Sequence, residues 1–412
     1  MEKNKTKIYL DNGATTPVDP EVFEAMRPYF SEIYGNPSSV HQFGVAAQEA
    51  VVKARQQVAK FLHCEAKEVI FTSGATEGNN TVIKSIGENQ SLAPAGQKPH
   101  IITSQIEHDC VLASTEKLVK NGRVEATFLP VNRDGRIELA ELEKNIKPNT
   151  VLISIMYANN ETGSVQPIAE IGKLLKKLNA DREHKIYFHT DAAQAINYLD
   201  CDVQKLGVDL MTLSAHKIYG PKGAGALYVR SGMPLMPFMD GGEQEFKLRS
   251  GTHNTPGIVG LGAAIEKVSA QSGKNLEKLR NKLIDGVLDK ISGSFLNGSR
   301  ENRLPNNANF RFEGAEGEAI IIALDMEGIA ASTGSACAAK SLKPSHVLKA
   351  IGLNDLEAHS SVRFTLGRFT TEAEINQVLD VLPPIIEKLR NISGNLGNSP
   401  VERGKLPDDF GC

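Results

Sequence analysis

The segment of residues 210–228, LMTLSAHKIYGPKGAGALY, carries a lysine in a setting that suits covalent chemistry. An apolar run ends at Ser214, Lys217 follows three positions later, and a glycine-rich turn leads into a second apolar run. This pattern predicts a strand, a tight loop and another strand. A lysine among small residues at the end of a buried strand loses its proton more easily than a solvated one, and a neutral amine can form an imine. The same pattern also fits a surface lysine beside a glycine turn, so other segments must decide.

A second candidate site lies in residues 69–80, VIFTSGATEGNN. Its apolar start predicts a buried strand, and the small residues that follow lead into a predicted helix. Free backbone N–H groups, hydroxyls and the positive end of a helix dipole at such a junction suit a phosphate group. A strand-to-helix turn that is merely capped by a serine or threonine has the same pattern. Both interpretations stay open on this segment alone.

Polar clusters recur where predicted strands end. These clusters are residues 105–108, 158–163, 190–194 and 214–217. Because strands alternate with helical stretches, we expect a mostly parallel sheet covered by helices on both faces, with ligands at the carboxyl ends of the strands. An imidazole, an acid, an amide and a lysine would then meet a phosphate cradle at one edge. This set suits an anionic, heteroaromatic cofactor held as an imine, and pyridoxal phosphate fits it.

Composition and charge limit the other function classes. The chain has 412 residues, of which 41% are hydrophobic and 23% charged, as is ordinary for a globular protein of two or three domains. A formal net charge of -3 gives no electrostatic case for binding nucleic acid or an anionic membrane. No apolar run approaches the roughly 20 residues of a membrane span, and the N-terminus lacks the apolar core of a signal peptide. We therefore expect a cytoplasmic protein.

The cysteines show no spacing typical of a disulfide framework or a metal site, so we expect no metal. Cys337 differs from the others because it lies in residues 332–340, STGSACAAK, a run of small residues that predicts an accessible loop. Cys64, Cys110 and Cys201 lie in or beside apolar segments. A free thiol titrates near about 8.5, so a nucleophile at this loop would need a nearby cation or the cofactor. A small buried residue in a turn is the alternative for Cys337.

The motifs, taken together and in this order, resemble those of the NifS-like cysteine desulfurases. These are pyridoxal-phosphate enzymes of the class V aminotransferase group with the fold-type I architecture. The resemblance runs from Ile8 to about Leu389. The motifs that carry it are LDNGATTP, GNPSSVH, FTSGATEGNN, EHDCVL, NNETG, HTDAAQA, SAHKIYGPKGAGAL, RSGT, STGSACAAKSLKPSHVL and HSSVRFTLGR.

The resemblance implies a role for each matching residue. Lys217 would carry pyridoxal 5'-phosphate covalently, Asp191 would pair with the pyridine nitrogen, and His108 would stack on the ring and shuttle protons. Asn160 would lie near the phenolic oxygen of the ring with Gln194 beside it. The implied phosphate ligands are Ala75, Thr76, Ser214 and His216, with Thr252 serving the phosphate of the other subunit, and the implied ligands of the substrate carboxylate are Asn36 and Arg363.

The resemblance also implies an architecture. We expect an α/β fold in which a large cofactor-binding domain has a mainly parallel seven-stranded sheet between helices and a smaller α/β domain follows it. Residues 1–20 would pack with the small domain, 21–257 would form the large domain, 258–392 the small domain with the cysteine loop, and 393–412 a flexible tail. Members of the family are homodimers, so we expect a homodimer here.

The implied activity converts L-cysteine to L-alanine and captures the sulfur as a persulfide on Cys337. The sulfur would pass to an iron-sulfur scaffold protein or to another acceptor. The spacing between Cys337 and Arg363 matches the longer active loop of the NifS-like branch, which could deliver sulfur to a protein. Ala338 and Ala339 stand where relatives often have hydroxyl residues, and Cys412 is more simply a dispensable thiol than a relay.

Three other functions fit parts of this pattern. A selenocysteine lyase uses the same scaffold and similar residues. Another class V aminotransferase would need no loop cysteine and should accept a keto acid. A non-catalytic protein that binds pyridoxal phosphate would be expected to have lost one of Lys217, His108 and Cys337, yet all three are present.

Overall fold

The site is built on a seven-stranded sheet whose strands come from short runs rich in β-branched residues. The computed structural model describes residues 7–268, 270–334 and 343–398. The strands in these residues are β1 (Ile8–Tyr9), β2 (Val69–Thr72), β3 (His100–Ser104), β4 (Glu125–Leu129), β5 (Thr150–Ser154), β6 (Tyr187–Asp191), β7 (Leu210–Ser214), β8 (Gly225–Val229), β9 (Ser294–Leu296), β10 (Asn307–Phe312), β11 (Ile329–Ala330) and β12 (Ser361–Thr365).

The order of the large sheet is β2-β8-β7-β6-β5-β3-β4. Strands β3 to β7 pair in parallel, whereas β8 is antiparallel to both of its neighbours, β2 and β7. Six strands therefore end at one edge of the sheet, and β8 begins there. Strands β3, β5 and β7 are buried along their whole length, as expected for a parallel sheet covered on both faces. The predicted α/β fold with a mainly parallel seven-stranded sheet is confirmed.

Helices cover both faces of this sheet. They are, with the helices that follow later in the chain, α1 (Pro20–Met26), α2 (Pro28–Ser31), α3 (Gln42–Leu62), α4 (Ala75–Gly87), α5 (Asp109–Lys120), α6 (Leu139–Lys144), α7 (Ile168–Leu178), α8 (Val203–Leu206), α9 (Thr255–Glu266), α10 (Ala270–Lys290), α11 (Gly317–Met326), α12 (His346–Ala350), α13 (Asp355–His359) and α14 (Glu372–Asn398). Adjacent residues of β3 point to opposite faces. Ile101 joins the core formed with α4 and α5, and Ile102 joins the core formed with α3 and α7.

A second core lies around a three-stranded antiparallel sheet of order β12-β10-β9. Helices α10, α11 and α14 contribute apolar residues to it, and Ile8 and Leu10 from the start of the chain are buried in the same core. Strand β1 pairs in parallel with β11. The division into domains at residue 257 stays a prediction. Helix α9, which follows that position, packs Ile258 and Leu261 into the core of the large sheet.

Two predicted features fall outside the described residues. Segment 335–342 contains Cys337, and residues 399–412 contain Cys412. Helix α14 runs as far as Asn398, within the segment that we predicted to be a tail. In the described part of the chain, every helix is too short or too polar to span a lipid bilayer.

Candidate active site

A cavity of about 530 Å³ opens where the six strands of the large sheet end. Loops that follow β2, β3, β5, β6 and β7 line it, together with the segment after β1 and a residue of β12. The predicted site residues that it brings together are Ala75, Thr76, His108, Asn160, Asp191, Gln194, Ser214, His216, Lys217 and Arg363.

Two predicted site residues are not among those that line the cavity. Asn36 is exposed, and its side-chain oxygen accepts a hydrogen bond from the Ser38 N–H at 2.9 Å. Thr252 is also exposed. Since the structure holds one copy of the chain, their roles stay predictions. The role of Cys337 also stays a prediction, because segment 335–342 lies outside the described residues.

Lys217 lies on a single 3-10 turn, Ala215–Lys217, directly after β7. Its Nζ donates to the backbone oxygens of Gly13 at 2.6 Å and Ala14 at 2.8 Å. Gln194 Nε2 donates to the same Gly13 oxygen at 2.9 Å. The segment after β1 thus holds the amine at the wall of the cavity through main-chain acceptors.

The turn after Lys217 holds Tyr219 in an unusual conformation. Tyr219 is fully buried and has a φ of 66°, a left-handed value that costs a non-glycine residue roughly 1–2 kcal/mol. Hydrogen bonds fix it, because its N–H donates to Thr16 Oγ1 and its carbonyl accepts from Asp19 N–H, both at 2.9 Å. Its hydroxyl accepts from the Arg368 N–H, and the Arg368 guanidinium lies 4.4 Å from the ring centroid. Segment 13–19 and the second core together stabilise the lysine turn.

The start of α4 forms an anion cradle on the opposite side. Gly74 precedes the helix with a φ of 148°, and the first N–H groups of a helix have no partner within it. Gly225 allows the close approach of β8, because a Cβ there would lie 2.7 Å from Gly74 Cα. Ser214 and His216 line the same cavity. Helix α4 therefore presents donors and a positive dipole end to a bound anion.

His216 adds a neutral imidazole to this cradle. Its Nδ1 lies 3.1 Å from Thr15 Oγ1. Burial, followed by the charges of Lys217 and Lys222, lowers the pKa of His216 to about 4. Near neutral pH it is uncharged, so it can act as a hydrogen-bond donor to an anion without an added positive charge.

Asp191 lies at the end of β6 and is 7% exposed. Its Oδ2 accepts from Asn79 Nδ2 at 2.6 Å, and its Oδ1 accepts from the Ala193 N–H at 2.9 Å. Nearby, His108 caps helix α5, with Nδ1 accepting from the Cys110 N–H at 3.2 Å. A buried carboxylate and an imidazole therefore border one cavity. The carboxylate suits a protonated ring nitrogen, and the imidazole suits stacking on the face of that ring.

The described cysteines are poor nucleophiles. The pKa values of Cys110 and Cys64 are both raised to about 12, and burial is the main cause. Burial likewise raises the pKa of Cys201. All three thiols stay protonated at neutral pH, which agrees with their positions in or beside apolar segments of the sequence.

Arg363 on β12 is 2% exposed and already has several partners. Its Nη1 donates to the backbone oxygens of Asn160 at 2.9 Å and Gly334 at 2.6 Å, while Nη2 donates to Asp11 Oδ1 at 2.8 Å. Its Nε is buried and has no partner among the described residues. The hydrogen on Nε and the second hydrogen on Nη2 are thus the ones that the described contacts leave for an incoming carboxylate.

Sequence reasoning assigned no role to two buried acids that line the cavity. Glu107 is 1% exposed and accepts from Ser104 Oγ at 2.6 Å and from the Met156 N–H at 2.9 Å. Burial raises the pKa of Glu107 to about 8. Glu161 is also 1% exposed. Their position after strands was visible in the sequence, but their burial depends on packing by distant residues such as His346, whose Nε2 lies 2.9 Å from the Glu107 carbonyl oxygen.

Comparisons with known proteins agree with this geometry. Residues 8–378 match the family described as aminotransferase class-V. A cysteine desulfurase IscS from Dictyoglomus turgidum is 49% identical over 392 residues, which cover 94% of this chain and 97% of that protein.

Solved structures give the same result. A structure described as a NifS-like protein has a TM-score of 0.83 at 36% identity and covers 95% of this chain and 100% of its own. A second, described as SspA in complex with cysteine, has a TM-score of 0.77 at 40% identity and covers 89% and 100%. The chain therefore belongs to the aminotransferase class-V family, in its NifS-like cysteine desulfurase branch.

Proposed function

We propose that this protein is a pyridoxal-phosphate-dependent cysteine desulfurase, which releases L-alanine from L-cysteine and captures the sulfur on Cys337. The observation that carries the proposal is the meeting of Lys217, Asp191 and the start of α4 in one cavity. The similarity to cysteine desulfurases over nearly the whole chain supports the same activity. A relative described as a complex with cysteine supports cysteine as the substrate.

The residues present fit pyridoxal phosphate. The cradle at Gly74 offers donors to the phosphate, and the buried carboxylate of Asp191 suits a protonated ring nitrogen. Lys217 supplies the amine for covalent attachment, and His108 lies at the same cavity. When bound, the cofactor supplies an electron sink for the negative charge that develops at the substrate Cα. Asn160 and Gln194 would hold its phenolic side.

The chain's own groups bind the substrate and move its protons. Once its amine is released, Lys217 is the base that takes the proton from the substrate Cα, since its Nζ lies at the cavity wall. Arg363 binds the substrate carboxylate with its Nε hydrogen and its remaining Nη2 hydrogen. His108 returns a proton during release of the product.

Cys337 would take the sulfur. Its thiolate forms a bond to the substrate sulfur as the carbon–sulfur bond breaks and leaves its electron pair on the substrate. One proton then replaces sulfur on Cβ and another restores the hydrogen taken from Cα, so L-cysteine and a thiol become L-alanine and a persulfide. The high pKa values of Cys64 and Cys110, about 12 in each, leave them unsuited to this step. An iron-sulfur scaffold protein or another thiol would accept the sulfur.

The active unit would be a homodimer. Asn36 and Thr252 are exposed in the single chain and lie outside the residues that line its cavity. This placement agrees with a role for Thr252 at the phosphate of the partner subunit.

The test measures alanine from L-cysteine under a reducing thiol for the purified protein and for Cys337→Ala. We expect equal amounts of alanine and sulfide from the first and neither from the second, while both bind the cofactor. Alanine production that survives in Cys337→Ala would show that another group removes the sulfur. A protein that binds the cofactor but leaves L-cysteine unchanged would overturn the proposed activity.

A further inference from the structure

Asp191 and His108, which both border the cavity, are joined by two side chains to which the proposed chemistry gives no role. Asp191 ends β6, and His108 directly precedes α5. Between them lie Asn79 of α4, which is fully buried, and Cys110 of α5, which lines the cavity. Their polar atoms form a continuous series of hydrogen bonds from the carboxylate to the imidazole.

The amide of Asn79 makes the first link of this series. Its Nδ2 donates to Asp191 Oδ2 at 2.6 Å and to Cys110 Sγ at 3.2 Å, so both of its hydrogens are used. Its Oδ1 is buried and has no partner among the described residues. The reversed amide would place Oδ1 beside a carboxylate oxygen, and two acceptors repel each other. The contacts therefore determine the direction in which Asn79 donates.

The thiol of Cys110 makes the second link. His108 Nδ1 accepts from the Cys110 N–H at 3.2 Å, so this nitrogen carries no hydrogen of its own. Cys110 Sγ lies 3.1 Å from the same nitrogen. Burial is the main cause that raises the pKa of Cys110 to about 12, so the sulfur keeps its hydrogen at neutral pH. The thiol can therefore donate to His108 while it accepts from Asn79.

These contacts determine which nitrogen of His108 is protonated. Since Nδ1 accepts, the neutral ring carries its hydrogen on Nε2. The other tautomer, or a flipped ring, would lose both Nδ1 contacts. A group that returns a proton to a product must hold that proton on the nitrogen that is free to reach it. The contacts listed leave Nε2 for this task.

Packing of α4 against α5 does not explain the series. Ile86 of α4 and Leu118 of α5 belong to one apolar core, which holds the helices together. Asn79, in contrast, leaves its Oδ1 without a partner among the described residues, and an unsatisfied buried oxygen costs free energy. The residue is better explained by the two groups to which it donates.

We propose that Asn79 and Cys110 are positioning residues, which tie His108 to Asp191 and hold the imidazole with its hydrogen on Nε2 for return to the product. Both roles rest on the proposed function, and neither residue contacts the reacting atoms. Cys110 acts as a hydrogen-bond donor and not as a nucleophile.

The first test asks whether Cys110 acts through His108. We would measure kcat and KM for alanine release from L-cysteine in Cys110→Ala, in His108→Gln and in the double variant, each loaded with the cofactor. We expect Cys110→Ala to lower kcat about fivefold at unchanged KM, which is the worth of one hydrogen bond. In the His108→Gln protein the same change should alter kcat by less than about twofold, because residues that act as a unit are not additive.

Three further variants complete the design. Cys110→Ser keeps a donor and should retain at least about half of kcat. Asn79→Ala breaks the links to both ends, so we expect a loss of about tenfold that shrinks to about twofold in the His108→Gln protein. Ser114→Ala is the matched control, because Ser114 Oγ donates to Asn80 Oδ1 at 2.8 Å between the same two helices and lies outside the residues that line the cavity. It should leave kcat unchanged.

A second measurement reads the tautomer without turnover. In ¹⁵N NMR spectra of histidine-labelled holoprotein, the ring signals of His108 are assigned by their loss in His108→Gln. We expect Nδ1 to be unprotonated and Nε2 protonated, and we expect Cys110→Ala and Asn79→Ala to increase the population with a proton on Nδ1. An Nδ1-protonated ring in the unaltered protein, or a tautomer that both variants leave unchanged, would overturn the proposal.

The kinetic outcomes are equally distinct. Equal fold losses for Cys110→Ala with and without His108 would overturn the proposal, since Cys110 would then serve the fold or the cofactor site. The same holds if Cys110→Ser loses as much activity as Cys110→Ala, or if neither Cys110→Ala nor Asn79→Ala lowers kcat. If the unaltered protein binds the cofactor but releases no alanine, the proposed function fails, and the NMR spectra alone decide whether Asn79 and Cys110 position the ring.

Discussion

Replacement of Gly74 by alanine would test whether the start of α4 is the phosphate site. Gly74 has φ 148° and ψ -178°, a region that is essentially limited to glycine. An added Cβ would meet only Ser214 Oγ, at 3.8 Å, which is an ordinary contact. Because space is available, the cost of Gly74→Ala comes from the backbone conformation alone.

That cost sets the size of the expected effect. A non-glycine residue in such a conformation costs on the order of 1–3 kcal/mol. If the chain without cofactor relaxes and the bound state requires the observed turn, the dissociation constant of the cofactor rises about 5- to 150-fold. We would measure it by titrating the cofactor-free protein with pyridoxal phosphate and following the visible absorption of the bound form.

Gly96→Ala is the control for this measurement. Gly96 has a φ of 76° with nothing within 4 Å of an added Cβ, and it does not line the cavity. It should lower the free energy of unfolding by about 1 kcal/mol and leave cofactor affinity unchanged. A Gly74→Ala protein with unchanged stability and cofactor affinity within twofold of the parent would refute the assigned cradle.

Two other outcomes follow from the site and the core. Asp11→Asn keeps an oxygen for Arg363 Nη2 but removes a charge that competes with the substrate carboxylate. A hydrogen bond to a charged group is stronger than a neutral one by about 1 kcal/mol. We therefore expect KM for L-cysteine to fall about fivefold, with little change in kcat. A raised KM would mean that Asp11 orients Arg363 instead. Burial lowers the pKa of His189 to about 3. Below a pH of about 6.5, His189 is therefore protonated in the unfolded chain but stays neutral in the folded one. The stability that is present above that pH is lost as the pH falls toward 3. Urea unfolding should show about 2 kcal/mol of this loss by pH 5, and His189→Gln should lack it; an equal pH dependence in both proteins would contradict the assignment.

Local sequence patterns were sufficient for the sheet and for the residues at its edge. The run before Lys217 became β7, the glycine-rich turn led into β8, and the helix predicted after the small residues of segment 69–80 became α4. Patterns of this kind work because the apolar run of a buried strand and the periodicity of a helix can be read within a short window of the sequence. The carboxyl ends of parallel strands meet at one edge, so the polar residues that follow them converge without further information.

The pairings inside the site could not be read in the same way. Arg363 contacts Asn160 across 203 positions and Asp11 across 352, and Ser345 contacts Glu161 across 184. Asn160 and Glu161 lie in the loop after β5 of the large sheet, whereas Asp11 follows Leu10 of the second core. The motif around Arg363 predicts a carboxylate ligand but does not reveal that Asp11 already accepts from it, because no local pattern encodes the partner.

These long-range pairs connect β12 and the start of α12 to two other segments, the one after β1 and the loop after β5. Arg363 donates to Asp11 in the first of these, and Ser345 donates to Glu161 in the second. Apolar packing alone would hold the cores together but would tolerate small shifts, whereas a charge-assisted hydrogen bond fixes distance and direction. Arg363 is thereby tied to the loop that carries Asn160 and, through Asp11, to the segment whose backbone oxygens accept from Lys217. Removing one such pair should therefore change the relative rates of sulfur transfer and proton transfer more than it changes the stability of either core.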